Sequence, residues 1–348
     1  MAPILSKAVP PPPQSPQEAA ALAYRKARPI LESFLDIVRE TIENGHFVLS
    51  ESARRLNRLS DQLVTGTMRV LEDYCCMDLN KFARGPEPKL HGSLPILFVL
   101  MLLMMLYNAF VLAYMPAAGI PFNSPISLIF HAFIFLVFAS FVQSVRTDPG
   151  GIPPGKAWRT REAPPPQCKE RKHFSNEPRW CRKSEAYKPD RAHFCRVLRR
   201  PVLRMDHHCP WLGNTIGFNN HKFFYLFLLY TSSACTLLGI SVLDLLVKAT
   251  LPALSTFLLI GAEGLTFLLS VILVPFFIFH TWLLVRNMTT IEFCEMMRSR
   301  DGSEEDLTRS SYDMGIFHNI CSVLGDNPLL WFAPVGGPSG DGLRFPAR

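Results

Sequence analysis

The chain has 348 residues, of which 48% are hydrophobic, and a formal net charge of +7. The hydrophobic residues are concentrated in blocks, which argues against one water-soluble globule. The basic excess indicates contact with an anionic leaflet and anionic ligands, and no arrangement of aromatic and basic residues indicates nucleic acid. Nine cysteines, mostly expected in the cytosol or the bilayer, argue against a disulfide framework and leave free, metal-binding or catalytic thiols open.

Residues 1–90 are predicted to form a cytosolic N-terminal region that is Pro-rich at first and helical afterwards. Apolar residues recur at helical spacing over residues 52–80, with several arginines on the remaining surface. Such helices either pack together or lie on the inner leaflet as a basic amphipathic segment. Cys75 and Cys76, near the end of this region, are candidates for lipid attachment.

Four apolar runs are each long enough to cross a hydrocarbon core roughly 30 Å thick. They cover residues 94–115, 124–145, 223–247 and 256–285. We expect transmembrane helices 1 and 2 within 94–145 and helices 3 and 4 within 223–286. The segment between them, 146–222, has 17 Lys or Arg against seven Asp or Glu. The positive-inside rule therefore places this segment, both termini and the tail 287–348 in the cytosol.

The stretch "MDHHCPWLGNTIGFNNHKFF" places Asp206, His207, His208 and Cys209 on consecutive positions. A thiol is a strong nucleophile only as the thiolate, and a neighbouring imidazole can take its proton. A carboxylate on the other imidazole nitrogen fixes the tautomer. Because adjacent side chains do not converge in a regular helix or strand, we expect a tight turn, with which Pro210 is consistent. The alternative is a coincidental loop in which His208 and Cys209 bind a metal.

The motifs around this stretch resemble those of the DHHC protein S-acyltransferases, also called palmitoyltransferases. Asp148-Pro149-Gly150 matches the DPG motif after the second helix, and Thr289-Thr290-Ile291-Glu292 matches the TTxE motif after the fourth. Asn319 in "YDMGIFHN" matches an asparagine of the C-terminal tail. The resemblance covers residues 94–325 and implies an α-helical polytopic membrane protein. Its four transmembrane helices would carry a small, loop-rich cytosolic DHHC domain between helices 2 and 3.

The resemblance also implies a reaction. Cys209 would accept a long-chain acyl group, expected to be palmitoyl, from acyl-CoA and pass it to a cysteine of a protein substrate near the membrane. His207 would be the base, oriented by Asp206, and Thr290 would support Asp206. Trp211 would close the reactive centre at the membrane surface. The implied location is an endomembrane, Golgi or ER, or the plasma membrane.

Other residues are implied in supporting and binding roles. Glu292 and Asn319 would support the site through their motifs. The anionic coenzyme would be held by Lys188, Arg191 and His193. The alternative interpretation is that these three residues are solvated charges on the surface.

The family's cytosolic domain holds two structural zinc ions, each bound by three Cys and one His. The first set of matching positions is Cys181, Ser184, Phe194 and Pro201. The second set is Cys195, Leu198, His208 and Thr215. Since only Cys181, Cys195 and His208 remain as ligands, zinc is doubtful, and we expect apolar packing to replace it. No spacing supports a substitute site made from Cys168, His173, Cys181 or Cys195.

Two other function classes are compatible with the sequence. One is a catalytically inactive DHHC-like membrane scaffold or accessory subunit, which would keep the fold without turnover. The other is a small-molecule transporter, which has little support because the apolar runs show no paired broken helices. Isolated polar residues in these runs are interpreted as packing or interface groups. They are His131, Asp244, Glu263 and His280.

Overall fold

The computed structural model describes residues 94–171, 176–298 and 310–347. Within these residues, four helices are long and apolar enough to cross a membrane by length and composition. They are Leu94–Ala118, Pro125–Arg146, His221–Lys248 and Ala253–Val285, the first to fourth spans. The predicted fold class is confirmed, because a small loop-rich domain separates the second span from the third. The predicted N-terminal region 1–90 and His173 lie outside the described residues.

The first span changes its helical geometry near its end. Helix α1 (Leu94–Asn108) continues into a π-helical turn, Ala109–Tyr114, and then into α2 (Met115–Ala118). Pro116 lies at the start of α2, where its ring has no N–H to donate and crowds the carbonyl of the preceding turn. Gly119 ends α2 with a φ of 62°, which glycine adopts without strain.

The other helices follow along the chain. They are α3 (Pro125–Arg146), α4 (Lys156–Arg159), α5 (His221–Lys248), α6 (Ala253–Val285), α7 (Thr290–Arg298) and α8 (Ile316–Leu324). Ser124 caps α3 by accepting a hydrogen bond from the Ser127 amide. Large apolar side chains such as Phe135 and Phe257 are exposed on the outer surfaces of the spans. Lipid can cover these side chains, so their exposure fits a membrane environment.

The domain between the second and third spans is built from three antiparallel two-stranded sheets. Strand β1 (Trp180–Cys181) pairs with β2 (Ala186–Tyr187), β3 (His193–Cys195) with β4 (Arg200–Val202), and β5 (His207–Cys209) with β6 (Asn214–Ile216). Strands this short bury little apolar surface, so side-chain hydrogen bonds and ion pairs contribute more to fixing the structure of this domain.

The DPG motif fixes the chain where the second span ends. Asp148 accepts a hydrogen bond from the Gly150 amide at 2.8 Å and forms an ion pair with Arg200 of β4 at 2.6 Å. Gly150 has a φ of 99°, which favours glycine. The motif thus joins the second span to a strand of the domain that follows it.

Candidate active site

Strand β5 presents the thiol and one imidazole on the same face. In its register with β6, His207 pairs with Ile216, His208 with Thr215 and Cys209 with Asn214. Side chains alternate between the two faces of a strand, so His207 and Cys209 share one face and His208 lies on the other. The predicted tight turn is therefore wrong for these residues: alternation along a strand brings the base and the thiol together.

The Asp206 carboxylate is completely buried and fully engaged. One oxygen, Oδ1, accepts a hydrogen bond from the Thr290 amide at 2.9 Å. The other, Oδ2, accepts from the Thr290 hydroxyl and from His207 Nδ1, each at 2.7 Å. The bond from Nδ1 leaves Nε2 as the His207 nitrogen available to a reacting group.

The electrostatics of this pair favour a proton on the imidazole. Burial lowers the pKa of His207, but the hydrogen bond to Asp206 and the adjacent Cys209 outweigh it and raise the pKa to about 10. Burial alone would raise the pKa of the Asp206 carboxyl. The hydrogen bond to His207 and the surrounding imidazoles outweigh this effect and hold that pKa well below its usual range. An ionised carboxylate thus stabilises the protonated form of the imidazole that lies beside Cys209.

His208 has the opposite environment on the other face of β5. Its Nδ1 lies 3.0 Å from the Thr215 hydroxyl. Burial, followed by the charge of His207, lowers the pKa of His208 to about 4. The neutral His208 is thus suited to structural hydrogen bonding and unsuited to taking the thiol proton at neutral pH.

Cys209, which is 7% exposed, belongs to an apolar cluster with side chains from all four spans. The buried members of this cluster are Phe141, Leu212, Ile216, Phe224 and Leu228. Trp211, two residues beyond the thiol, is 50% exposed, and its ring lies 5.9 Å from that of Phe98 on the first span. The thiol therefore lies where the domain between the second and third spans meets the apolar helices.

Glu292 of the TTxE motif forms an ion pair with the buried Arg191. The Arg191 guanidinium donates to both carboxylate oxygens of Glu292, at 2.6 and 2.8 Å. It also donates to the side chain and the backbone carbonyl of Asn287, each at 2.9 Å, and lies against the rings of Tyr312 and Phe345. Arg191 is 1% exposed, so its placement argues against the predicted contact with a coenzyme.

His193, the second of the predicted coenzyme residues, also lies in an environment that does not favour a positive charge. His193 Nε2 lies 3.4 Å from Arg179. Burial and then the charge of Arg179 lower the pKa of His193 to about 3, so this imidazole carries no charge at neutral pH. Arg179, which the sequence did not single out, pairs with Glu170. Lys188 is partly buried, and its role stays a prediction.

Asn319 ties the C-terminal tail to the fourth span. Its side-chain amide donates to the Val285 carbonyl and to Asp313, each at 2.7 Å, and its oxygen accepts from the Met314 amide at 3.0 Å. The side chain is completely buried. Because both the donor and the acceptor of this buried amide are hydrogen-bonded, Asn319 fixes the start of α8.

Two further imidazoles lie beside the carboxylate of Asp206. Nitrogen atoms of His221 and His280 and an oxygen of Asp206 all lie within 4.8 Å of one another, and all three residues are buried. This geometry resembles a metal site, but both Asp206 oxygens already accept hydrogen bonds. The buried guanidinium of Arg204 also lies 3.3 Å from His221 Nδ1 and disfavours a further cation.

The sequence did not indicate that His280 lies near the active site, and His280 was interpreted as a packing or interface group. Its ring centroid lies 6.0 Å from that of His207. The available signal was its position near the end of an apolar run that leads into the TTxE motif.

The zinc positions of the family do not fit the residues present. Cys181, Cys195 and His208 are the metal ligands among the eight positions, and they belong to two separate sets. A four-coordinate structural site needs four ligands of this kind. The donor set thus supports neither of the two zinc sites, whatever the conformation of the domain.

Comparison with known proteins gives consistent matches. The sequence profile of the family described as "DHHC palmitoyltransferase" matches residues 174–297. Probable protein S-acyltransferase 13 of Arabidopsis thaliana is 32% identical over 269 residues, which cover 70% of this chain and 85% of that protein. Probable protein S-acyltransferase 16 of the same plant is 32% identical over 271 residues, covering 73% and 92% respectively.

Animal relatives match over a shorter region. Palmitoyltransferase ZDHHC15 of Rattus norvegicus is 39% identical over 175 residues, which cover 49% of this chain and 50% of the relative. The match to the Homo sapiens protein of the same name is 38% identical over the same number of residues. The chain thus spans about half the length of these ZDHHC15 relatives.

Proposed function

We propose that this chain, which belongs to the DHHC palmitoyltransferase family, is a protein-cysteine S-acyltransferase that works through a thioester on Cys209. The observation that carries the proposal is the arrangement on β5. The Asp206–His207 hydrogen bond and Cys209 lie at the boundary between a polar, buried network and an apolar cluster of membrane helices. A long-chain acyl thioester needs both environments, because its chain is apolar and its reacting carbon is polar.

The first half-reaction forms the acyl-enzyme. His207 holds the thiol proton, and the Cys209 sulfur attacks the carbonyl carbon of the acyl-CoA thioester. A new carbon–sulfur bond forms to Cys209 while the bond to the coenzyme sulfur breaks. The proton on His207 passes to the departing coenzyme sulfur. Asp206 keeps the imidazole oriented throughout, and Thr290 keeps Asp206 in place.

The second half-reaction transfers the acyl group to protein. The thiol of a substrate cysteine gives its proton to His207, and its sulfur attacks the same carbonyl carbon. The bond to Cys209 breaks, and the protonated imidazole and the Cys209 thiolate are restored. Because Cys209 lies next to the spans, the substrate cysteine has to reach the membrane surface, which favours protein substrates with membrane-proximal cysteines.

The apolar cluster around Cys209 is the proposed binding region for the acyl chain. Burial of an acyl chain contributes about 0.8 kcal/mol per methylene, so an apolar environment favours a long-chain donor such as palmitoyl-CoA. We place the coenzyme on the cytosolic side and retain Lys188 among its predicted contacts. Arg191 is omitted because Glu292 already pairs with it. The termini are proposed to be cytosolic, and the membrane is an endomembrane or the plasma membrane.

The experiment that tests the proposal is labelling of the purified full-length protein with radioactive palmitoyl-CoA. We expect label that neutral hydroxylamine releases, as it does a thioester, and loss of this label in Cys209→Ser. Cys321→Ser is the matched control, because Cys321 is also 7% exposed but lies on α8. Label in Cys209→Ser at or above half of wild type would exclude Cys209 as the nucleophile. A wild-type protein that takes no label would favour the inactive scaffold.

A further inference from the structure

The residues at the second set of zinc positions lie close together, although only two of the four are zinc ligands. Cys195 Sγ lies 3.1 Å from the Thr215 hydroxyl oxygen, and the same oxygen lies 3.0 Å from His208 Nδ1. The Leu198 amide donates to Cys195 Sγ at 3.4 Å. One hydroxyl thus contacts both remaining metal-binding groups directly. Because a hydroxyl has one donor and two acceptor lone pairs, it can satisfy the thiol and the imidazole at the same time.

The first set of zinc positions has a different replacement. Phe194 pairs with Pro201 across β3 and β4, so two of the four positions form an apolar strand pair. The ammonium group of Lys183 lies 5.3 Å from the centre of the Phe194 ring. An aromatic ring with a cation over its face stabilises this corner by a cation–π contact. The same positive charge disfavours a divalent cation beside Cys181.

From these contacts we infer that a hydrogen-bonded triad of Cys195, Thr215 and His208 takes the place of structural zinc in this chain. Thr215 is completely buried and lies opposite His208 in the β5–β6 register. The triad thus joins β3, which carries Cys195, to the hairpin that carries Cys209. Thr215 is a positioning residue: it holds the hairpin and contacts no reacting atom. The inference concerns folding and metal content, so it does not depend on the proposed activity.

The metal content of the full-length protein provides the first test. Protein purified in detergent with zinc in the growth medium should contain no zinc above the buffer blank by elemental mass spectrometry. Incubation with 1,10-phenanthroline should leave its melting temperature and the protease resistance of its cytosolic domain unchanged. Stoichiometric zinc in the wild-type protein, with a melting temperature that falls on chelation and recovers on zinc addition, would overturn the inference.

Substitutions at the second set test the triad itself. Thr215→Val keeps the shape but removes the hydroxyl, and we expect the melting temperature to fall by at least roughly 2–4 °C. Thr215→Ser keeps the hydroxyl and should stay close to wild type. A loss in Thr215→Ser with none in Thr215→Val would show that the methyl group, and not the hydrogen bonds, matters, and would contradict the triad.

A double variant serves as the converse test. Leu198→Cys with Thr215→Cys completes three Cys and one His around the same point, so the protein should acquire about one zinc ion per chain. Its melting temperature should then fall on chelation, whereas that of the wild type should not. Failure of the double variant to bind zinc would show that these four positions do not converge in solution, and the inferred triad would then be wrong.

Discussion

His207 and His208 are adjacent on one strand and burial lowers the pKa of both, yet their partners give them opposite protonation states at neutral pH. On one face, a buried carboxylate raises the pKa of His207 to about 10 against the effect of burial. On the other face, burial lowers the pKa of His208 to about 4, and a neutral hydroxyl is its partner. The strand therefore separates a charged face, suited to proton transfer, from a neutral face, suited to structure.

This difference shows that the residue type alone does not assign a role in the sequence Asp206-His207-His208-Cys209. Both histidines could act as a base or as a ligand in isolation. The alternation of the strand decides which of them shares a face with the thiol, and residue Thr290 from the TTxE motif decides where the carboxylate is held.

Removal of one imidazole or the other should have the largest and most different effects on the rate of acyl-enzyme formation. His207→Ala should slow formation of the acyl-enzyme by roughly 10²–10⁴-fold, the usual size of a general-base contribution. His208→Ala should have a much smaller effect on this rate per folded molecule and should act mainly on stability. Single-turnover labelling of equal amounts of folded protein gives the two rates. If His208→Ala slowed the reaction more than His207→Ala, the assignment of the two imidazoles would be reversed.

Loss of the hydroxyl that holds Asp206 should have an intermediate effect. Thr290→Val removes the 2.7 Å hydrogen bond to the carboxylate. A hydrogen bond to a charged group contributes about 1.5–3 kcal/mol, which corresponds to a rate lower by roughly 10- to 100-fold. Thr289→Val is the neighbouring control, since the Thr289 hydroxyl accepts from the Glu292 amide instead. Thr290→Ser should retain most of the wild-type rate. Equal losses of rate in the two valine variants would indicate a general loss of structure and not the loss of this hydrogen bond.

The dependence of stability on pH should also differ between the two faces. The raised pKa of His207 gives stability that is complete below about pH 6.5 and is lost as the pH rises through about 10. The lowered pKa of His208 gives stability that is present above about 6.5 and is lost as the pH falls through about 4. We expect the melting temperature to decline at both ends of this range.

The two single variants assign these declines. His207→Ala should flatten the alkaline decline between pH 7 and 10, and His208→Ala should flatten the acid decline below pH 6.5. An alkaline decline that is unchanged in His207→Ala would mean that the charge of this imidazole is not coupled to folding.

The sequence was sufficient for those parts of the fold that depend on local composition. The predicted run 124–145 compares with Pro125–Arg146, and 256–285 with Ala253–Val285, because a continuous apolar run of this length has few alternatives to a membrane helix. The first span extends from Leu94 to Ala118, beyond the predicted end at residue 115.

The site was less predictable where partners are distant in sequence. A basic residue such as Arg191 gives no sign in the sequence that Glu292 will neutralise it in a buried ion pair. The same holds for His280, whose approach to His207 depends on the packing of the fourth span against the domain that carries β5. The contact of Thr290 with Asp206, in contrast, followed from the resemblance, although no spacing between the two residues indicates it.

The π-helical turn at Ala109–Tyr114 divides the first span into a long and a short segment that are out of phase. Each residue of an α-helix advances the helical face by about 100°, and a π-bulge corresponds to one extra residue. The long segment directs Phe98 to Trp211, while Phe110, at the turn, stacks on Phe130 at 3.9 Å. Deletion of one residue within the turn would leave a span long enough to cross the bilayer, yet it would rotate one segment against the other and separate one of these two ring contacts.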